Sequence, residues 1–337
     1  MKRILSYLFV VILFSCNSSN QDAIEKTPFT NTMACTFSEI VYSNMPDSLI
    51  SQNLPGWKIA WNPEAVNGNY AFAATYKNKI VIAIRGSVLQ FDKAAFDNWI
   101  RHDFNIAEQK DWVYTDRVSD AKISQGSFEA WENMQILKDK KTGHTLWQFL
   151  DSTTNTNSSI LITGHSLGGN LSSVYGSWLA FQLKKQNKTI KKIQVITFAA
   201  PAAGNEAFAN DFNTKFPEAM FIVNTNDIVP KFPVANAVGN LGELFKPAPD
   251  ANKIEIAKII ISIKLATVFD GLKLTMKGME IYNRNSVYTQ PKEEMITIKL
   301  SGLHKENTVE DFFSEAGYQH GVEQYAVAVG APVIKIP

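Results

Sequence analysis

The sequence predicts an α/β fold in which a mostly parallel central sheet carries helices on both faces. Three short apolar runs, at residues 158–163, 193–198 and 219–224, have the length and composition of strands buried inside a parallel sheet. Segments with apolar residues at helical spacing lie between them, and this alternation is typical of α/β proteins. The chain has 337 residues, of which 45% are hydrophobic, so we expect one α/β domain over residues 31–337, with insertions.

The region before these runs contributes a helix and three candidate strands. Residues 32–44 place apolar side chains at the spacing of an amphipathic helix. Candidate strands follow at residues 57–62, 69–76 and 79–86. Lys77 and Asn78 separate the last two strands, which is a spacing that favours a hairpin. Residues 145–151 are predicted to be the end of a helix.

A strand, a tight turn and a helix follow one another around Ser166. The apolar run leads into Gly164, and Gly168 follows the serine. Beyond the turn, apolar side chains recur at helical spacing: Leu171, Val174, Tyr175, Trp178 and Leu179. Residues 205–216 are also helical in pattern, and residues 252–284 are predicted to be a helix in which lysines interrupt apolar runs.

The charge balance of the chain argues against a nucleic-acid partner. Lysine and arginine number 33 and aspartate and glutamate 32, so the net charge is +1. There is no long run of either sign, whereas nucleic-acid-binding domains carry basic patches or stripes.

The N-terminal segment predicts export and a lipid anchor. Lys2 and Arg3 precede an apolar run that is shorter than the roughly 20 residues of a membrane-spanning helix. The following Leu-Phe-Ser-Cys resembles the lipobox of bacterial lipoproteins, which implies a signal peptide at residues 1–15 and lipidation of Cys16. Residues 17–30 are polar and suit a tether. We therefore expect an exported lipoprotein of the bacterial cell envelope, in the outer membrane or facing the periplasm.

Ser166 is the candidate nucleophile. A serine held in a strained turn between strand and helix needs small neighbours, and glycines at 164 and 168 supply them. Such a turn lifts the hydroxyl to the N-terminus of the helix, where backbone N–H groups favour developing negative charge. No comparable motif surrounds Cys35, which we expect to be a core or exposed thiol.

Several segments together resemble the class 3 (fungal-type) lipases of the α/β-hydrolase superfamily, in the order of that family and over roughly residues 57–235. Besides the turn around Ser166, the matching segments are VIAIRGS (81–87), DNWIRHDFN (97–105), ITFAAPAAGNEAFA (196–209) and NTNDIVPKFP (224–233). The resemblance implies a Ser–His–Asp ester hydrolase with an α/β-hydrolase fold.

Asp227 is the expected acid of that triad. It follows a predicted buried strand and comes after the serine in the chain, as in α/β-hydrolases. The resemblance places it in the segment that holds the family's catalytic acid, whereas Asp211 and Glu218 lack this setting.

His320 is the expected base. The sequence HGVEQYA (320–326) resembles the His-x-x-x-x-Tyr ending of plant class 3 lipases. His304 is the alternative, because it also follows Asp227. His102 and His144 precede the aspartate, and His165 matches a common non-catalytic residue of the family.

The oxyanion hole and a lid are also implied by the resemblance. The backbone N–H of Leu167 and both the N–H and hydroxyl of Ser87 would stabilise the oxyanion. Residues 88–99 occupy the place of the family's lid, with four large apolar residues as candidate lipid contacts: Leu89, Phe91, Phe96 and Trp99. A helical insertion at about 236–295 is expected before His320; it could cover the acyl pocket, touch membrane or pack on the core.

These observations predict a lipase- or carboxylesterase-like serine hydrolase that acts on lipid or other acyl esters and needs no metal or organic cofactor. A phospholipase or carbohydrate-ester hydrolase on the same scaffold is the alternative enzyme. A lipoprotein that keeps the fold as a non-catalytic binding module is the alternative outside enzymes.

Overall fold

The computed structural model describes residues 29–87, 108–116, 120–239, 241, 244–245, 250–256, 259–282, 287–291, 295–298 and 308–336. The expected signal peptide, Cys16 and the expected lid residues lie outside these ranges, as do His102 and His304.

Most strands belong to one central sheet. Along the chain the strands are β1 (Lys58–Trp61), β2 (Ala71–Tyr76), β3 (Lys79–Ile84), β4 (Gln109–Asp111), β5 (Lys122–Ser124), β6 (Ser159–His165), β7 (Lys192–Phe198), β8 (Met220–Asn224), β9 (Asp250–Ile256), β10 (Ile259–Lys264) and β11 (Met295–Ile298). Within the described ranges the central sheet has seven strands in the order β1-β2-β3-β6-β7-β8-β11.

The sheet is mixed and mostly parallel. Strands β3, β6, β7, β8 and β11 pair in parallel, and β1 and β2 extend the β3 edge in antiparallel pairing. Strands β2 and β3 form the predicted hairpin, in which Tyr76 pairs with Lys79 across Lys77 and Asn78. The candidate strands of the sequence are therefore confirmed.

Ten helices connect or cover the strands in the described part of the chain. They are α1 (Asn31–Ile40), α2 (Pro46–Asn53), α3 (Gln125–Ile136), α4 (Leu146–Thr153), α5 (Leu167–Lys185), α6 (Glu206–Lys215), α7 (Ala235–Val238), α8 (Leu265–Tyr282), α9 (Val309–His320) and α10 (Val322–Val329). The helices expected at 32–44, after Ser166 and at 205–216 are confirmed as α1, α5 and α6.

Two hydrophobic cores lie on the two faces of the sheet. Because side chains alternate along a strand, Ile160 and Ile162 of β6 join the core that contains Val174 of α5, while Leu161 joins the core that contains Phe37 of α1. All five side chains are fully buried. The predicted arrangement, a mostly parallel sheet with helices on both faces, is confirmed.

The expectation that residues 145–151 end a helix was wrong, because they begin one. Thr145 caps α4: its hydroxyl accepts a hydrogen bond from the Gln148 N–H, and the Gln148 side chain accepts from the Thr145 N–H. This reciprocal pair satisfies N–H groups that the first helical turn leaves without partners.

The prediction of one helix over residues 252–284 was wrong in its first part. Strands β9 and β10 form an antiparallel hairpin, in which Ile256 pairs with Ile259 and Ile254 with Ile261, and only α8 is helical. β-Branched residues favour strands, and isoleucines at alternate positions have the period of a strand, which the reading as a helix overlooked.

No helix within the described ranges is both long enough and apolar enough to cross a membrane.

Candidate active site

Ser166 lies in a sharp turn between β6 and α5, with φ 60° and ψ −131°. Few residues other than glycine adopt a positive φ, so the turn stores backbone strain. The Ser166 N–H donates to the carbonyl of Phe198, at the end of the neighbouring strand β7 (2.9 Å). The expected strand–turn–helix setting of the serine is therefore present.

The flanking glycines are required by close backbone contacts. A Cβ atom at Gly164 would lie 2.4 Å from the carbonyl group of Gly168. A Cβ at Gly168 would lie 2.2 Å from the carbonyl oxygen of Ile84, on the parallel neighbour strand β3. Any side chain at either position would push the strand and the helix apart.

His320 connects Ser166 to Asp227. The Oγ of Ser166 lies 2.9 Å from Nε2 of His320, and Nδ1 of His320 lies 2.8 Å from Oδ2 of Asp227. Because a carboxylate only accepts, the Nδ1 atom carries the proton and Nε2 is left free to accept from the serine hydroxyl. Asp227 is fully buried and the other two residues are 6% exposed. The structure thus brings together the three residues that the sequence predicted for the triad.

The loop after β8 positions Asp227. Its Oδ1 accepts from the N–H of Val229 (2.9 Å), while its own N–H donates to the carbonyl of Asn224 (3.0 Å). Lys231 donates to the carbonyl of Asp227 (2.9 Å), and burial lowers the pKa of this lysine although the aspartate opposes the shift. The carboxylate is therefore held by its own loop as well as by His320.

His320 is the last residue of α9. Thr308 caps the start of this helix: its hydroxyl accepts from the Asp311 N–H, and the Asp311 side chain accepts from the Thr308 N–H. At the other end, Asn224 of β8 donates to both the carbonyl and the side chain of Gln319 (2.9 and 2.8 Å). These bonds join the end of α9 to the strand that precedes Asp227.

Tyr325 is a member of the site whose role the sequence did not reveal. Its hydroxyl donates to Oδ2 of Asp227 (2.7 Å) and accepts from the N–H of Asn224 (3.1 Å). Burial, together with the negative charge of Asp227, raises the pKa of Tyr325 well above its usual value, so the phenol stays protonated. The His-x-x-x-x-Tyr spacing was visible in the sequence, but the contact with Asp227 depends on the fold.

The side chain of His165 packs against that of His320. The ring centroids of His165 and His320 are 4.6 Å apart, and Nε2 of His165 lies 2.7 Å from the carbonyl oxygen of His320. Burial, together with the charge on protonated His320, lowers the pKa of His165 well below its usual value. His165 is therefore neutral and donates to a backbone group, outside the chain of bonds that links Ser166 to Asp227.

The segment expected to form the oxyanion hole lies beside Ser166. Strand β3 pairs with β6 up to Gly164, and a Cβ at Gly86 would lie 3.2 Å from the Cβ of Ser166. Ser87 comes next and is half-buried. Leu167 is the first residue of α5, whose first N–H groups have no acceptor within the helix. Ser87 thus follows a residue that approaches Ser166 closely, and Leu167 follows the serine directly in the chain.

Other acids and histidines considered in the sequence lie apart from this cluster. Asp211 pairs with Lys215 (2.8 Å) and accepts from the Asp116 N–H (2.9 Å), and Glu218 pairs with Lys192. His144 is exposed. Cys35 is a buried free thiol, and no group of three or more possible metal ligands occurs among the described residues.

Fold and site together define a protein of the α/β-hydrolase type with a buried Ser–His–Asp arrangement. A model of the lipase (class 3) family matches residues 81–237, a segment that contains Ser166 and Asp227 but not His320. This match supports the class 3 lipase family for the chain.

Two known lipases show how far the similarity extends. A secreted mono- and diacylglycerol lipase of Fusarium solani is 26% identical over 148 residues, which are 42% of this chain and 36% of that protein. The chain therefore matches about a third of the length of this curated relative. The crystal structure of M37 lipase has a TM-score of 0.68 and 24% identity, and the match covers 90% of this chain and 96% of the other. This second likeness supports the lipase fold over most of the chain.

Proposed function

We propose that the protein is a lipase-like serine ester hydrolase that cleaves acylglycerols or related acyl esters. The observation that carries the proposal is the pair of hydrogen bonds that His320 makes to Ser166 and Asp227 (2.9 and 2.8 Å). The match to the class 3 lipase family and the similarity to a mono- and diacylglycerol lipase support acylglycerols as substrates.

The first half of the reaction transfers the acyl group to the serine. Ser166 Oγ bonds to the ester carbonyl carbon while its proton moves to Nε2 of His320, and the carbonyl oxygen takes the displaced electron pair. The N–H groups of Leu167 and Ser87, with the Ser87 hydroxyl, stabilise this oxyanion. Asp227 stabilises the imidazolium. The carbonyl then re-forms, the carbon–oxygen bond to the alcohol breaks, and His320 gives its proton to the departing alcohol.

The second half returns the enzyme to its starting state. Water attacks the acyl-enzyme and passes a proton to Nε2 of His320. The tetrahedral intermediate collapses, Ser166 takes the proton back, and the carboxylic acid leaves. Both halves use only side chains of the protein, backbone N–H groups and water.

Ester hydrolysis by the wild type and by Ser166→Ala tests the proposal. With short-chain nitrophenyl esters, the wild type should turn over and the variant should lose about 10⁶-fold in kcat, as removal of a triad serine does elsewhere. The variant should melt at a temperature close to that of the wild type, because it loses only a hydroxyl. A folded wild type without activity on any ester would instead favour the non-catalytic binding module.

We also propose that residues 88–99 form a lid, with Leu89, Phe91, Phe96 and Trp99 turned toward lipid when it opens. Rates on soluble and micellar esters across chain lengths test this point, since a lid predicts a jump in rate at the interface. Activity confined to phospholipids or acylated sugars would select the alternative enzyme.

Lipidation of Cys16 would place the enzyme on the cell envelope after export. Expression in a bacterial host with Cys16→Ser as the control tests it: the wild type should fractionate with membranes and the variant should be released. Equal release of both proteins would refute the anchor.

A further inference from the structure

A second series of polar groups, buried except for the half-buried Tyr42, contacts the backbone of His320 and does not include Asp227. It runs from Gly86 through Tyr42 and His165 to the backbone of His320. We propose that Tyr42 and His165 are positioning residues. They hold His320, the general base, in a fixed position relative to the oxyanion segment, which consists of Gly86 and Ser87. The inference rests on the proposed hydrolase function and extends it to two residues that do not touch the substrate.

The hydrogen bonds fix which nitrogen of His165 carries its proton. A backbone carbonyl only accepts, so Nε2 of His165 must donate to the His320 oxygen 2.7 Å away. A neutral imidazole has one N–H, and Nδ1 is therefore an acceptor. The Tyr42 hydroxyl lies 3.2 Å from that nitrogen and 3.3 Å from the His165 carbonyl oxygen, so its single proton points to His165.

The carbonyl that His165 binds belongs to the end of a helix. His320 closes α9, and the last carbonyl groups of a helix have no partner within it. Asp227 fixes the ring of His320 through Nδ1, and Asn224 holds the preceding residue, Gln319, but neither of these bonds reaches the carbonyl of His320 itself. The bond from His165 anchors this carbonyl to the residue that directly precedes Ser166 in the chain. Nucleophile and base are thereby tied through adjacent residues.

Tyr42 extends the same series to the oxyanion segment. Burial raises the pKa of the Tyr42 phenol while the backbone of Gly86 opposes the rise, so the phenol stays protonated next to the backbone of Gly86. A Cβ at Gly86 would lie 2.4 Å from the Tyr42 oxygen and 2.6 Å from the His165 carbonyl oxygen, so only glycine permits this approach. The next residue is Ser87. One phenol therefore contacts both the turn before the nucleophile and the strand end that carries the expected oxyanion donor.

Neutrality of His165 matters during the reaction. His320 gains a proton in each half-reaction, and its ring lies 4.6 Å from that of His165. A charged His165 would oppose that protonation. Because its pKa lies well below the usual value, His165 is uncharged at neutral pH and can orient His320 without competing for the proton.

Four variants test the proposal through steady-state kinetics on a soluble ester. His165→Phe keeps a ring of similar size but removes the donor, and kcat should fall by up to about 10²-fold while KM stays within about twofold, since small misplacement of a catalytic group costs this much. His165→Gln, whose amide can donate to the same carbonyl, should recover most of the loss. Tyr42→Phe should lower kcat less. The double variant Tyr42→Phe/His165→Phe should have a kcat no lower than that of His165→Phe alone, because both changes interrupt the same series of hydrogen bonds.

A spectroscopic readout separates this proposal from the proposed function. The Nδ1 proton of His320 gives a low-field NMR resonance when it is held against Asp227, whether or not an ester is turned over. This resonance should broaden or vanish in His165→Phe and persist in His165→Gln. Exposed His144→Gln is the matched control and should change neither the resonance nor kcat. An inactive wild type with a normal resonance would refute only the hydrolase function.

Two outcomes would overturn the positioning role. One is a His165→Phe protein with wild-type kcat and an unchanged resonance. The other is an equal loss of kcat in His165→Phe and His165→Gln together with equal drops in melting temperature, which would reduce His165 to a core-filling side chain.

Discussion

The two halves of the site are built differently. The nucleophile half occupies five consecutive residues, 164–168, and its shape follows from backbone conformation and the absence of side chains on Gly164 and Gly168. The acid–base half joins Asp227 and His320, which are 93 positions apart, through buried hydrogen bonds. A local motif can be read from sequence because its cause is local, whereas the second half exists only once α9 and α10 have packed.

Asp227→Asn should impair the acid–base half of the site more severely than any other change considered in this comparison. The amide would present N–H groups to Nδ1 of His320 and favour the tautomer with the proton on Nε2, which cannot accept from Ser166. We expect kcat to fall by about 10⁴-fold on a soluble ester, with folding preserved because the shape is unchanged. Circular dichroism and melting curves check the fold. A loss of less than about tenfold would show that Asp227 does not orient the base.

Gly168→Ala should break the nucleophile half. The added methyl would sit 2.2 Å from the Ile84 carbonyl oxygen, so β3 and α5 must separate. We expect a loss of about 1–3 kcal/mol or more in the free energy of unfolding, measured by urea titration, and a lower kcat. Gly271→Ala in α8 is the matched control: outside its own turn of the helix, a Cβ there would meet no atom of the described residues within 4 Å, so the change should stabilise by up to about 1 kcal/mol. Equal stabilities of the two variants would contradict the close-contact argument.

The sequence was sufficient to predict the sheet and the nucleophile because each has a short-range signature. Buried runs such as 158–163 predicted β6 within a residue or two, and the glycines predicted the turn at Ser166. The error at 252–284 arose where two periods competed: alternating isoleucines form β9 and β10 before α8 begins. Short apolar segments of this kind satisfy strand and helix templates alike, and tertiary packing decides between them.

The acid and the base were predicted from the sequence mostly through family resemblance, with chain order as the other guide. No local sequence pattern around Asp227 or His320 shows that the two side chains lie close together in the fold. The same limit applies to Tyr325 and His165, whose contacts with Asp227 and His320 follow from the approach of α10 and the end of α9 to β6 and β8. Long-range hydrogen bonds leave no periodic trace in a sequence, so such positioning residues emerge only from the structure.

Tyr325→Phe should weaken the hydrogen bonding of the acid–base half without abolishing its function. Asp227 would lose one of its buried donors but keep those from His320 and Val229. A hydrogen bond to a charged group contributes about 1.5–3 kcal/mol, so we expect a clear fall in stability and roughly a tenfold fall in kcat. Tyr175→Phe is the matched control, because the Tyr175 hydroxyl is buried without a hydrogen-bond partner among the described residues. It should leave both quantities unchanged; equal losses in the two variants would argue against a role for the Asp227 contact.

The smallest predicted effect is the pH dependence of stability at the contact between α1 and the segment that follows α10. Glu39 of α1 accepts from the N–H of Ile334 (3.2 Å), in the segment that follows α10. Burial raises the pKa of Glu39 to about 7, the Ile334 N–H opposes the rise, and the charge of Glu323 on α10 adds to it. The folded protein therefore binds this proton more tightly than the unfolded chain does, whose glutamate has a pKa of about 4.3.

Stability should consequently fall as pH rises from about 4.5 through about 7, and Glu39→Gln should flatten that slope. The glutamine oxygen can still accept from Ile334, so the variant should match the wild type near pH 4 and exceed it in melting temperature near pH 8. Exposed Glu310→Gln should keep the wild-type slope. If Glu39→Gln kept that slope as well, the pH dependence would have to come from groups elsewhere, and the α1–α10 contact would not set the pH response of the segment that follows His320.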